Sequence, residues 1–159
     1  MCLPFMPDIE KSYRELARKH QLPEYSKLNH EFEVSLIENE GFLLRQIVHA
    51  MTERIEFFTM LIDSMLHPES GQLAPLHECR FFDDREKEEL YNLYKALMQH
   101  HRTALLAGLQ REEKAEAAFI TSFFKEWQTL KPNLISMAMK MRQSWEKDTT
   151  IREVMGYFG

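Results

Sequence analysis

The stretch Glu40-Gly-Phe-Leu-Leu-Arg-Gln-Ile-Val-His-Ala-Met-Thr-Glu-Arg-Ile-Glu-Phe-Phe-Thr-Met-Leu-Ile-Asp-Ser-Met-Leu-His67 decides the fold. It holds no Pro, and its single Gly stands near the start, so nothing in its interior breaks a helix. At about 100° per residue, Leu44, Ile47, Met51, Ile55, Phe58, Leu61, Ile62 and Met65 fall in one sector. That pattern predicts an amphipathic helix of roughly 40 Å with one face in a core, stopped by His67-Pro68.

The elements on either side follow from punctuation. Downstream, residues 69–82 carry Gly71 and Pro75 beside Leu73, Leu76, Phe81 and Phe82, and read as a loop that packs down on the bundle. Asp83 or Asp84 then caps a second long helix near 83–110, whose acidic first turn suits the positive end of the helix dipole. A helix over about 112–130 follows, and Pro132 suits the first turn of a fifth, with Leu134, Met137, Ala138, Met141 and Trp145 facing in. Thr150 and Glu153 have capping-box spacing before the terminal residues. Upstream, Asp8 after Pro7 caps a short helix through about His20, Leu22-Pro23 ends it, and residues 24–39 read as a helical turn and an irregular connection. The expectation is an all-α, single-domain bundle of about five helices built on a long antiparallel helical hairpin. Residues 1–39 form an N-terminal helix and connection, 40–147 the bundle core and 148–159 a tail.

Composition excludes several classes of function. With only 5 Gly and 6 Pro in 159 residues the chain lacks the turns of a β-sandwich, and its 44% apolar share suits one globular domain. A net charge of −5 sets the chain against a long phosphate backbone, and the basic pairs Arg18–Lys19 and Lys140–Arg142 are isolated, so nucleic-acid binding is disfavoured. Cys2 and Cys79 are a poor basis for a disulfide framework, which fits a reducing cytoplasm. No basic n-region precedes an apolar run at the start, and no segment reaches the roughly 18 apolar residues of a membrane span, so neither secretion nor membrane insertion is expected.

Two groups of residues invite a chemical reading. Opposite the apolar face of the first long helix lie His49, Glu53, Glu56, Met60, Asp63 and His67, stepping by four and three residues. His49, Glu53, Glu56 and Asp63 are oxygen and nitrogen donors that could hold Mg or Mn if a second helix or subunit covered them; left uncovered, the stripe is a solvated surface. The second group points inward. On the second long helix His101 falls among Leu90, Tyr94, Leu97, Met98, Ala104, Leu105 and Gly108, with His100 displaced to the flank. Arg54 lies in the apolar sector of its own helix, where a guanidinium needs an acceptor. An antiparallel hairpin brings it level with Leu97 and near His101, and Glu116 lies in line with Phe119, Phe123 and Trp127. A buried polar cluster of Arg54, His101 and Glu116, joined by the Tyr94 hydroxyl, is expected to fix helix register.

No Glu-x-x-His, Gly-rich phosphate loop, Gly-x-Ser-x-Gly elbow or Cys-x-x-Cys occurs, and His77-x-Cys79 offers two zinc ligands where a structural site needs four. The acidic patterns Glu53-x-x-Glu56 and Glu112-Glu113-x-x-Glu116 resemble the carboxylate motifs of all-α nucleotide pyrophosphohydrolases of the MazG type, which implies magnesium near a nucleotide's phosphates. The second Glu-x-x-Asp element of such enzymes is missing after Glu116. Ten Met and 11 Phe, with Met137, Met139, Met141, Trp145, Tyr157 and Phe158 on more than one helical face, point instead to a non-catalytic protein–protein interaction or assembly module. Its partner is another copy of the chain, as a homodimer, or another protein, and it needs no cofactor. The alternative is a divalent-metal hydrolase of a phosphate-containing small molecule, using Mg or Mn on the His49, Glu53, Glu56, Asp63 stripe.

Overall fold

Asp8 accepts a hydrogen bond from the Lys11 N–H at 3.1 Å and so starts α1 (Ile9–His20), in a computed structural model that describes residues 8–156. Gln21 closes that helix in the left-handed region, φ 54°, and its N–H returns to the Ala17 carbonyl. After Pro23 the chain forms α2 (Tyr25–Phe32) and a 3-10 turn, Val34–Leu36, where a helical turn and an irregular connection were expected. Then come α3 (Leu43–Leu66), α4 (Leu73–Glu78), a second 3-10 turn (Cys79–Phe81), α5 (Asp84–Gln110), α6 (Glu113–Ser144) and α7 (Ile151–Gly156). The protein is all-α, with no strand among the described residues. No helix among them is long and apolar enough to cross a membrane. The readings of Cys2, Tyr157 and Phe158 fall outside the described residues.

The expected cap of α5 takes its full form at Asp83. The Glu86 N–H donates to Asp83 Oδ1 and the Asp83 N–H to Glu86 Oε2, each at 2.8 Å, a reciprocal capping box. Thr150 and Glu153 repeat the device at α7, at 2.7 and 3.3 Å. In the segment expected as a loop, Pro75 occupies the first turn of α4, where its missing N–H costs nothing, and Leu76 is the buried anchor.

The helix expected to start at Pro132 does not start there: residues 113–144 form one helix with Pro132 inside it. The apolar row explains why. Phe123, Trp127, Leu130, Leu134, Met137 and Ser144 are all buried at steps of three, four and seven, so one face continues in phase past an exposed proline. Tertiary burial outweighs the hydrogen bond the ring forfeits.

By contacts the chain forms two compact units. The first contains residues 8–55 and His100–Trp127; the second contains Glu56–Gln99 and the residues from Gln128 onward. In the first, Ile47, Met51 and Ile55 of α3 and Ile120 and Phe123 of α6 are fully enclosed, with Leu28 and Val34. Phe119 and Phe123 stack at 5.6 Å, and Phe32 tilts against Phe123 at 5.9 Å. The Tyr13 phenol donates to the Pro23 carbonyl at 2.6 Å, tying α1 to the turn after it, and burial pushes that phenol's pKa well up. In the second unit, Ile62 and Met65 of α3, Leu76, Leu90, Leu93, Leu97, Leu130, Leu134 and Met137 are buried.

Along α5 the inner row is Leu90, Leu93, Leu97, Ala104 and Ala107, while Leu105 and Gly108 are exposed. Leu90, Leu97 and Ala104 are buried as expected, and the face is rotated by about 60° toward Leu93 and Ala107. As a result His100 packs on a ring of the core, 5.2 Å from Phe123. Burial pulls the His100 imidazole below the usual histidine range, against the opposing charge of Glu126.

Replacing Pro132 tests the reading of α6. Pro132→Ala restores one N–H to a continuous helix and should raise unfolding free energy by about 1–2 kcal/mol in urea titration. A loss of stability would show that the proline is required where it stands.

Candidate functional site

Among the described residues, five polar or charged side chains are buried: Thr59, His77, Glu78, Glu116 and Ser144. The Thr59 hydroxyl donates to the Glu56 carbonyl at 3.0 Å and is thereby satisfied. The remaining four mark two places, one in each unit.

In the second unit, α4 places His77 and Glu78 side by side below the end of α6. A carbonyl oxygen only accepts, so His77 Nε2 donates to Ser144 O at 2.9 Å. The Thr149 hydroxyl lies 3.4 Å from its Nδ1. The Trp145 ring stacks on the imidazole with centroids 4.1 Å apart and planes 25° from parallel, and Phe81 tilts against it at 5.2 Å. Burial pushes the Glu78 carboxyl above the usual range, opposed by a hydrogen bond from Trp145 and by His77. Cys79 follows with its thiol donating to the Leu76 carbonyl at 3.3 Å and its pKa raised by burial, so it is disposed neither to coordinate a metal nor to act as a nucleophile. Arg80 carries a buried Nη1 with no hydrogen-bond partner among the described residues. Both nitrogens of His77 thus lie within hydrogen-bond distance of protein groups.

A groove of about 480 Å³ also lies in this unit, floored by Phe82, Leu90, Leu93, Leu130 and Met137. Lys140 forms an ion pair with Glu86 at its edge and lies over the Phe82 ring, 5.3 Å from the centroid. That lysine, together with the Asp83 N–H, holds the Glu86 carboxyl below its usual range.

In the first unit the buried carboxylate is Glu116, in the first turn of α6 where the helix dipole favours it. Arg45 Nε donates to its Oε1 at 3.3 Å, and the same guanidinium lies 4.7 Å over the ring of Phe42. Glu113, one turn earlier, takes Lys19 and His20 of α1 on one oxygen, both at 2.7 Å, which holds its carboxyl low. These groups border a cleft of about 310 Å³ with Arg111 and Glu40.

The residues singled out from sequence are distributed as follows. Glu116 is buried, but its partner is Arg45 of the first turn of α3, where sequence reasoning offered Arg54 and His101. Arg54 is half-buried and donates to the Glu31 carbonyl at 3.4 Å, and the Glu31 carboxylate accepts from the Trp127 indole at 2.8 Å. His101 is half-buried with Nδ1 accepting from Arg102 at 2.7 Å. Tyr94 belongs to the second unit and the other three to the first. His49, Glu53, Glu56 and Asp63 are all exposed; His49 meets Glu53 at 3.3 Å, and Asp63 meets His67 at 3.5 Å. No group of three or more His, Cys, Asp or Glu side chains among the described residues is arranged to hold a metal ion. Sequence reasoning missed Arg45, Glu31 and Glu78. A signal for Arg45 was present: the residues three and four positions away along the chain are Gly41, Phe42, Val48 and His49, none of them acidic, so no local carboxylate pairs with the arginine.

Comparison with protein-family models, with curated proteins and with solved structures found no match to this chain.

The Arg45–Glu116 pair gives a direct test of this geometry. Arg45→Met leaves a buried carboxylate unpaired and should cost about 1–2 kcal/mol of unfolding free energy, less than a fully buried pair because Arg45 is partly in water. Adding Glu116→Leu should recover most of that loss. Equal losses in the single and double variants would show that the pair does not act as one.

Proposed function

We propose that this chain acts by binding another protein chain, a second copy of itself first of all, and catalyses no reaction of its own. The observation that carries this reading is a row of large apolar side chains left in water on the last turns of α5: Leu105 is 51% exposed, Leu106 57% and Leu109 72%. Leu105 and Leu109 are one turn apart and Leu106 lies beside them, so they form one patch and not scattered singles. The inner face of the same turns is already filled by Ala104 and Ala107, so α5 has no use of its own for the leucines.

Full burial of a leucine is worth about 1.5–3 kcal/mol, so a partner that covered this patch would gain enough to offset part of the entropy of association. Paired exposed apolar groups recur in the second unit, Phe57 with Met60 on α3 and Ile135 with Met139 on α6. Two copies related by a two-fold axis can place the same patch on itself, the commonest way such a surface is covered. This reading requires no metal or cofactor.

Size-exclusion chromatography with light scattering tests it. The chain should elute at twice its own mass at high micromolar concentration. Leu105→Glu with Leu109→Glu should weaken the dimer by about a hundredfold or more while leaving helicity unchanged. A wild-type chain that stays monomeric at that concentration removes the self-association reading.

A further inference from the structure

Gly108 lies on the exposed side of α5, one turn from Leu105 and beside Leu109. A glycine weakens a helix relative to alanine, so a fold that keeps one has a use for it: a left-handed backbone, a close neighbour, or the closing of the helix. None of these applies to Gly108. Its φ is not positive, and a Cβ built on it would meet nothing within 4 Å. The left-handed residue at the end of α5 is Arg111, φ 55°, whose N–H returns to the Ala107 carbonyl at 3.1 Å. Within a single chain the glycine therefore weakens α5 and gains nothing.

We propose that Gly108 is the point where the α5 helices of two copies cross, with Leu105 and Leu109 of each copy closing over the glycine of the other. This rests on the self-association reading above and names the contact that would make it specific. A two-fold interface sets one patch against itself, so the patch must hold both a projection and the recess that receives it. Both lie within one turn of α5: the leucines project into water, and the missing side chain at Gly108 leaves the backbone open beside them. Packed helix axes stand about 8–10 Å apart, depending on the side chains at the contact, and a glycine there allows the closest approach. Leucines seated on bare backbone at that range gain dispersion contacts that a patch held at a distance would forfeit.

Sedimentation equilibrium of the full chain, of Gly108→Ala and of Gly108→Leu tests the crossing, with melting followed by circular dichroism at concentrations low enough for monomer. Because the space over Gly108 is open within one chain, Gly108→Ala should raise the monomer's melting temperature by about 1–4 °C. The same methyl group should weaken the dimer by about tenfold or more, and Gly108→Leu should weaken it further, since each fills the recess. The direction of the change is decisive, because added apolar surface on a patch without close contact would tighten the dimer. A dimer that is unchanged or tighter in Gly108→Ala overturns the crossing and leaves self-association through the leucines standing. A lower monomer melting temperature in Gly108→Ala overturns it as well, since the single chain would then need the glycine. A wild-type chain that stays monomeric at high micromolar concentration overturns both readings.

Discussion

One row of side chains on α3 has to leave water before the rest of the molecule can exist. Ile47, Met51 and Ile55 are completely enclosed in the first unit and Ile62 in the second, so a single helix supplies core to both. Burying each such side chain is worth about 1.5–3 kcal/mol, a sizeable fraction of the roughly 5–15 kcal/mol by which a domain is stable. Phe119, Ile120 and Phe123 of α6 are buried in the first unit as well, and Leu90, Leu93 and Leu97 of α5 in the second.

The buried polar groups serve this packing. Arg45 and Glu116 tie the start of α3 to the start of α6 inside one unit, and His77 ties α4 to the end of α6 inside the other. Each sits at a helix end, where backbone groups lack partners and side-chain bonds contribute most to fixing register. A few buried polar side chains thus hold helix ends, while apolar groups such as Leu109 and Met60 lie in water, and the proposed assembly role rests on the latter.

The fold was largely legible because apolar spacing on α3 has one answer: its inner residues and the exposed His49, Glu53, Glu56 and Asp63 fall where the 3.6-residue period puts them. On α5 the same method placed Leu90, Leu97 and Ala104 correctly and the rest of the face only in part, because Leu93 neighbours Tyr94 and Leu97 neighbours Met98. With apolar residues on two adjacent rows the period alone does not choose between them. Pro132 was read as a helix start because local chemistry permits that, while the continuous buried row through it is a tertiary fact. The partners of Glu116 and His77 were not legible, since 71 residues separate Arg45 from Glu116 and 67 separate His77 from Ser144. No local pattern records such a pairing.

Hydrogen exchange measured across a range of protein concentrations bears most directly on the account, in which α3 holds the fold and the end of α5 meets a second chain. Amides around Ile47, Met51 and Ile55 should be among the slowest at every concentration, while those of residues 105–109 should slow further as concentration rises and dimer forms. Exchange at residues 105–109 that ignores concentration, or α3 amides that exchange as fast as those of α7, would contradict it.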